Sequence, residues 1–305
     1  MTAARVLCDW GGTRLRASLE VDGVIVERCE GAGIGMLQGR PPTEVLLAAI
    51  APWRRKYRIR SAVLCGMAGS RNGVAEVPYA NAPVGIAAWT ESRKTVGQAE
   101  LALTIAAGVR ARDFRRIEDV MRGEETQVFG ALILHPQLSR GGHLFLLPGT
   151  HSKWVEVNAG EIIRLQTFVT GELYALLCES SSLLRASARD AEAEDGFEAG
   201  LERADHSDLA ASLFETRSAQ LTSGKTGGWA REFLSGLLLG AETRSMLRSS
   251  ALPPGGAVTI IGEPALAALY GRALARSGVH SDRLDGETTV LAGLRRLSSI
   301  EQGAS

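Results

Sequence analysis

Three short stretches of this 305-residue chain gather side chains suited to holding phosphate and moving a proton. The first is Asp9-Trp10-Gly11-Gly12-Thr13. Its glycines let backbone N–H groups approach anionic oxygens, and Thr13 adds a hydroxyl donor. Asp9 is the kind of carboxylate that hydrated Mg²⁺ prefers. The second stretch, Pro148-Gly149-Thr150-His151-Ser152-Lys153, combines backbone amides, two hydroxyls and a cation. Lys153 is its least certain member, because a strand residue after a turn could face solvent. His151 reads as a turn cap, since no cluster with transition-metal spacing accompanies it. The third is Arg122-Gly123-Glu124-Glu125, where a carboxylate could accept a proton from an attacking hydroxyl. Adjacent helical residues point about 100° apart, so one glutamate of the pair would face a ligand. Asp119 is a third candidate. Acids that merely favour a helix N-terminus would explain the same pair without catalysis.

The elements that must carry these residues follow from periodicity. No helix follows Gly12: Leu15, Ala17, Leu19 and Val21 alternate with Arg14, Arg16, Ser18 and Glu20, a strand pattern. The first loop is therefore a hairpin turn and not a P-loop, which would open a helix. Asp22-Gly23 turns the chain into a third strand, 23–30. Residues 43–57 have helical spacing, with Thr43 as N-cap and basic residues at the end. The stretch 61–66 reads as a buried strand, and 66–85 as a long loop too rich in Gly, Pro and Asn to be regular. A strand is expected over 101–108, and a helix within 117–135 that starts somewhere in its acidic portion. From 141 the opening arrangement recurs: strand, Gly-Thr turn, alternating strand, Asn158-Ala159-Gly160, strand. Helices dominate from 172 to about 250, followed by a turn at 253–256, a strand to Gly262, a helix, and a last helix over 287–299 that packs back on the first half. The expected division is 1–142 and 143–305.

Composition narrows the function classes. Thirty-four basic residues balance 34 acidic ones, which disfavours a nucleic-acid groove or an anionic membrane surface as partner. No apolar run approaches the ~20 residues of a membrane span, and no signal-like segment precedes Asp9. Cys8, Cys29, Cys65 and Cys178 form no C-x-x-C pair and suit reduced thiols in packed positions, hence a cytoplasmic setting.

Two halves that each open on paired hairpins with a Gly-Thr turn resemble the actin-like ATPase architecture, in which two ribonuclease-H-like domains flank an ATP cleft. More specifically, "DWGGTRLRA", "LCGMAGSRNG", "DVMRGEETQVFGAL", "LPGTHSKWV" and "TGELYALL", in this order, resemble the 2-dehydro-3-deoxygalactonokinase family, with the weakest match over 185–225. The resemblance implies an α/β fold, ATP and Mg²⁺ as cofactors, and transfer of a phosphoryl group to the 6-hydroxyl of 2-dehydro-3-deoxy-D-galactonate in galactonate catabolism. It implies phosphate contacts from Gly11, Gly12, Thr13, Gly149, Thr150, His151, Ser152 and Lys153, a metal role for Asp9, and an adenosine contact at Gly262. Analogy with exopolyphosphatase-type relatives ranks Glu125 ahead of Glu124 as base.

A sugar acid also needs a cation for its carboxylate, preferably a bidentate arginine. Arg71, flanked by glycines, is the first choice, with Arg122 and Arg14 as rivals; Glu76, Tyr79 and Asn81 could meet hydroxyls. Glu172 either caps its own helix or touches substrate. The family's first loop commonly reads Asp-Trp-Gly-Thr-Thr-Asn, so Gly12 and Arg14 are departures here, and Arg14 puts substrate preference near it in question. The partners expected are small molecules, with no nucleic acid or membrane; a homo-oligomer is compatible with the sequence. The rival readings are a phosphohydrolase, in which the glutamates orient water, and a non-enzymatic sugar sensor or filament-forming actin relative.

Overall fold

The computed structural model describes residues 4–184, 194–206, 208–249 and 256–298. The first hairpin is β1 (Ala4–Trp10) with β2 (Arg14–Val21), and the second adds β3 (Val24–Ala32). Asp22 and Gly23 join them with φ of 50° and 82°, the left-handed pair a two-residue hairpin turn demands. Alternation in β2 buries Leu15, Ala17 and Leu19 while Arg14 and Arg16 stay exposed. Helix α1 (Pro42–Lys56) begins one residue before the expected cap. Thr43 lies inside it, no side chain caps it, and Pro42 takes a first-turn position where no N–H is needed.

β4 (Ile59–Gly66) runs parallel to β1. The loop that follows, 67–79, is closed by its own backbone bonds, such as Val77 N–H to Gly69 C=O at 3.0 Å. Then come β5 (Ala80–Asn81), β6 (Val84–Gly85), α2 (Ile86–Glu91), β7 (Lys94–Gln98), β8 (Leu101–Ile105), β9 (Val109–Arg112), β10 (Glu118–Met121) and α3 (Glu124–Leu134). The main sheet has the order β3-β2-β1-β4-β8-β7, and β10-β9-β5 form a small second one. The acidic portion before Arg122 is thus not helical. Glu118 and Asp119 pair with β9, and the helix starts only after Gly123, whose φ is 118°.

The second half contributes β11 (Gly142–Leu147), β12 (Ser152–Asn158), β13 (Glu161–Phe168), α4 (Thr170–Glu179), α5 (Glu194–His206), α6 (Leu209–Leu213), α7 (Glu215–Thr222), α8 (Gly227–Ser249), β14 (Ala257–Gly262), α9 (Pro264–Arg276), β15 (His280–Asp285) and α10 (Gly286–Ser298). Its strands run β15-β14-β11-β12-β13. Numbered within each half, both sheets share the order 3-2-1-4 followed by a further strand parallel to the fourth, β8 in the first and β15 in the second. This is an internal repeat carried by topology with almost no shared sequence; the first sheet adds β7 at one edge, while β6 adds to β13 in the second. β15 escapes the sequence pattern because His-Ser-Asp-Arg-Leu-Asp has no apolar alternation; it is a charged edge strand parallel to β14. The expected turn at 253–256 falls mostly outside the described residues.

Packing divides the chain into two units, one of 4–142, 156–165 and 286–298, the other of 143–155 and 166–285. In the first, Leu15, Leu19, Leu46, Ile50, Trp53 and Leu64 lead the core between the sheet and α1. Helix α10 packs on α3 in this unit. Its Arg295 reaches the buried Glu20 carboxylate at 2.5 Å, and Arg5 pairs with the same carboxylate. In the second unit, α8 is the central helix, with Trp229, Phe233, Leu234 and Leu237 in its core.

Candidate active site

The Asp9–Thr13 turn is built from backbone. Gly11 N–H closes it on the Arg14 carbonyl at 2.8 Å, and its outward carbonyls accept from Gly33, Ile34 and Gly35. Residues 33–35 therefore form a shelf under the turn. The contact leaves no room for side chains: a Cβ on Gly33 would lie 2.4 Å from the Gly12 carbonyl. With the carbonyls so used, the amides of Gly12 and Thr13 at the exposed tip have no acceptor among the described residues. That is an anion-binding arrangement of N–H groups.

Two acids and a thiol meet beneath this turn. Asp9, the penultimate residue of β1, is in register with Cys65 of β4, and the Cys65 thiol lies 3.7 Å from Asp9 Oδ1. Arg16, two residues along the strand from Arg14, donates to Asp9 Oδ2 at 2.7 Å and is itself largely exposed. Gly66 turns the chain with φ 71°, where a side chain would strike the Trp10 carbonyl at 2.6 Å. Gly123 packs on Gly66 so closely that a Cβ would lie 3.1 Å from the Gly66 Cα. This glycine-to-glycine contact brings the α3 N-terminus to the end of β1. Burial raises the Cys65 pKa well above normal, and the charges of Asp9 and Glu125 raise it further; the two carboxyls flank one sulfur.

Glu124 and Glu125 divide as adjacent helical positions should. Glu124 is half-buried, and Glu125 is fully buried. Both fold back on the helix start: Arg122 N–H donates to Glu124 at 3.1 Å, and Gly123 N–H donates to Glu125 at 2.7 Å. The Thr126 hydroxyl adds a 3.1 Å bond to Glu125. Burial pushes the Glu125 carboxyl up to about 8, and the neighbouring charge of Glu124 adds to the rise. Asp119 stands apart from the pair, on β10, with Oδ1 accepting from the Val120 amide.

The second turn is held differently. Gly149, Thr150 and His151 are exposed, whereas Ser152 and Lys153 are buried at the start of β12. Successive strand residues face opposite ways. Ser152 turns its hydroxyl inward to Glu242 at 2.8 Å, and Lys153 sends Nζ to the Thr167 hydroxyl at 2.7 Å. Both side chains are buried and bonded below the exposed tip. The N-terminus of α4 docks on this turn, with Glu172 N–H bonded to the Thr150 carbonyl at 2.9 Å. Glu172 also pairs with His151 at 2.5 Å, so its carboxylate closes the turn. Gly262 ends β14 against Pro148, where a Cβ would come within 3.3 Å of the proline ring.

A family model for 2-keto-3-deoxy-galactonokinase matches residues 9–297. The chain belongs to that family. The 2-dehydro-3-deoxygalactonokinase of Escherichia coli (strain K12) is 34% identical to it over 300 residues, 98% of each chain. A crystal structure from Sinorhizobium meliloti, of a protein assigned as a 2-dehydro-3-deoxygalactonokinase, superimposes with a TM-score of 0.85 at 30% identity, covering 97% of this chain and 99% of that one. The activator of 2-hydroxyisocaproyl-CoA dehydratase from Clostridium difficile, solved with bound ADPNP, shares the fold at a TM-score of 0.52 and 11% identity, over 99% and 97% of the two chains. The fold is the actin-like α/β fold that the repeated hairpins suggested.

In this 2-keto-3-deoxy-galactonokinase family member the substrate candidates fall into two groups. Arg71 is 87% exposed and only loosely near Glu76, at 4.0 Å. Arg122 stacks on Tyr79, its guanidinium carbon 4.2 Å from the ring centre, and donates to the Val77 carbonyl at 2.8 Å. Its Nε and Nη1 are buried with no hydrogen-bond partner among the described residues. Asn81 is already occupied by Arg110, at 2.9 and 3.0 Å. Arg14 is exposed, and Arg16, which the motif reading passed over, is the cation on Asp9. The signal for Arg16 was available: in a strand it shares the face of Arg14 and lies opposite Asp9 across the hairpin. Glu242, 90 residues from the turn it braces, had no local signal at all.

Proposed function

We propose that this protein is an ATP- and Mg²⁺-dependent, cytoplasmic kinase that phosphorylates the 6-hydroxyl of 2-dehydro-3-deoxy-D-galactonate. The observation that carries this reading is the grouping of Asp9, Glu124 and Glu125 at the end of β1, beside a turn whose Gly12 and Thr13 amides have no acceptor among the described residues. Phosphoryl transfer needs these two things together, anion-holding donors and a proton acceptor. The N-terminal half, 1–142, supplies the first phosphate turn and the sugar-acid site. The second half, 143–305, supplies the turn at 149–151 and the Gly262 segment for the nucleotide.

The donor set suits Mg²⁺. Among the described residues no three His, Cys, Asp or Glu side chains are grouped to hold a metal, and Mg²⁺ typically binds kinases through one or two carboxylates, water and the substrate phosphates. Asp9 is such a carboxylate, and its exposed partner Arg16 is free to move aside. When bound, the ion would neutralise phosphate charge. Arg16 then remains as a cation at the first turn, and the Gly12 and Thr13 amides orient phosphate oxygens.

Glu125 is the base in this reading. A carboxyl raised to about 8 is a stronger proton acceptor than an ordinary glutamate, though only its ionised fraction works. For the sugar-acid carboxylate, Arg71 has the freedom to reach a ligand, whereas Arg122 has unpartnered donors already fixed in place. Coupling ADP formation to a panel of 2-keto-3-deoxy acids tests the assignment. Turnover with the galacto epimer is expected; no turnover with any of them removes the substrate claim. Phosphate release without an acceptor would favour the phosphohydrolase instead.

A further inference from the structure

The interior of the second unit holds a carboxylate that the proposed reaction does not use. Glu242, on α8, is 3% exposed. One oxygen accepts from Ser152 Oγ and from Trp154 Nε1, both at 2.8 Å; the other accepts from Tyr270 Oη at 2.8 Å. The Thr170 side chain donates to it as well. These four donors come from three elements besides α8: Ser152 and Trp154 from one face of β12, Thr170 from the first position of α4, and Tyr270 from α9.

Each of those elements adjoins a part of the proposed nucleotide grip. Ser152 directly follows the exposed Gly149–His151 tip. Thr170 begins the helix whose third residue, Glu172, bonds the Thr150 carbonyl and the His151 ring. Helix α9, which carries Tyr270, starts two residues after Gly262, and Gly262 packs on Pro148. Gly171 allows the same docking, since a Cβ there would lie 2.3 Å from the Gly149 carbonyl. A four-donor carboxylate of this kind costs several kcal/mol to bury and returns them only if every bond is made. It therefore fixes its donors as one set.

We propose that Glu242 is a positioning residue for nucleotide binding, locking the 149–151 turn, the α4 N-terminus and the Gly262–α9 segment into one geometry. The proposal rests on the kinase reading above. It places the effect on ATP and not on the sugar acid, because every donor Glu242 engages lies in the second unit.

Glu242→Gln is the direct test. The amide keeps the shape but turns one acceptor into a donor, so the hydroxyls on that side can no longer donate to it and must reverse to accept, which changes the set that Glu242 fixes. Tyr270→Phe and Ser152→Ala each remove a single donor and serve if the glutamine variant does not fold. The expected result is a KM for ATP raised on the order of tenfold in Glu242→Gln, smaller rises in the single-donor variants, and a KM for the sugar acid within about twofold of wild type. Calorimetric titration with a nonhydrolysable ATP analogue should weaken in parallel. Equal nucleotide affinity in the wild type and all folded variants, or equal losses for both substrates, would overturn the positioning role while leaving the kinase reading intact. A wild-type protein that binds no nucleotide would overturn both.

Discussion

Two buried glutamates, Glu125 and Glu242, stand near the two Gly-Thr turns, and burial drives both toward the protonated form. Their surroundings differ. Glu242 receives four side-chain donors from β12, α4 and α9, and none of the groups that shift it is another carboxylate. Glu125 receives the Gly123 amide, its own amide and the Thr126 hydroxyl, and Glu124 and Asp9 lie close enough to influence the same small region. A saturated carboxylate is a brace, because any change of charge breaks bonds on several elements at once. A buried carboxylate held mainly by its own helix start, among other acids, is suited to exchange a proton. On the proposed reading, the two units use the same residue type, at comparable burial, for opposite purposes.

The largest expected effect separates the two glutamates. Glu125→Gln should lower kcat by about 10²–10⁴ with little change in either KM, the reverse of the KM effect assigned to Glu242→Gln. Steady-state kinetics with both substrates varied measures this. Near-normal kcat in a folded Glu125→Gln enzyme would move the base to Glu124, whose own glutamine variant then becomes the decisive one.

The same substitution should change stability with pH. The Glu125 carboxyl titrates near 8 in the folded protein against about 4.3 unfolded. The folded state therefore binds this proton more tightly, and the stability it contributes is fully present below about pH 4.3 and lost as pH rises toward 8. Over that window the wild type should lose on the order of a few kcal/mol that Glu125→Gln does not, since its amide can still accept from Gly123 and offer N–H to Thr126. Urea denaturation at pH 6 and pH 8.5 reads the difference. Parallel losses in both proteins would mean that Glu125 is not protonated when folded.

The turns themselves invite a matched pair of substitutions. Gly33→Ala forces a methyl into the Gly12 carbonyl at 2.4 Å, and Gly171→Ala forces one into the Gly149 carbonyl at 2.3 Å. Displacing a phosphate-binding turn by about 1 Å costs on the order of a hundredfold in kcat/KM, so each variant should lose about that much. Only Gly171→Ala should share the ATP-selective signature of Glu242→Gln. A Gly171→Ala enzyme impaired equally for both substrates would break the link between α4 and the nucleotide.

How much of this could be read from the chain depended on distance along it. The hairpins, the Gly-Thr turns and the Glu124–Glu125 pair are local patterns, and period-two alternation with turn residues made them legible. The register of Asp9 with Cys65, the shelf at Gly33–Gly35 and the Gly66–Gly123 contact are tertiary facts with no signature beyond scattered glycines. Ser152 shows the limit most clearly. Its hydroxyl follows a phosphate-type turn, and only the pleat of β12 together with a carboxylate 90 residues away turns it inward. β15 was missed because a charged edge strand lacks the alternation on which strand recognition rests.

The finest distinction concerns what tunes Glu125. The charge of Glu124 raises its pKa, whereas the Thr126 hydroxyl lowers it by bonding the ionised form. If Glu125 is the base, kcat/KM should climb as pH rises through about 8, because the free enzyme must lose that proton first. Removing the two neighbours should then move this limb in opposite directions. Glu124→Gln shifts it toward acid and raises activity at neutral pH relative to the plateau. Thr126→Ala shifts it toward alkali by roughly half a pH unit, a few-fold in rate at pH 7. The proposed reaction does not use the ionisation of Glu242, so Tyr270→Phe should change nucleotide affinity without displacing the limb. A limb that stays fixed in both Glu124→Gln and Thr126→Ala would place the titrating group elsewhere, and the contrast between the two glutamates would then rest on geometry alone.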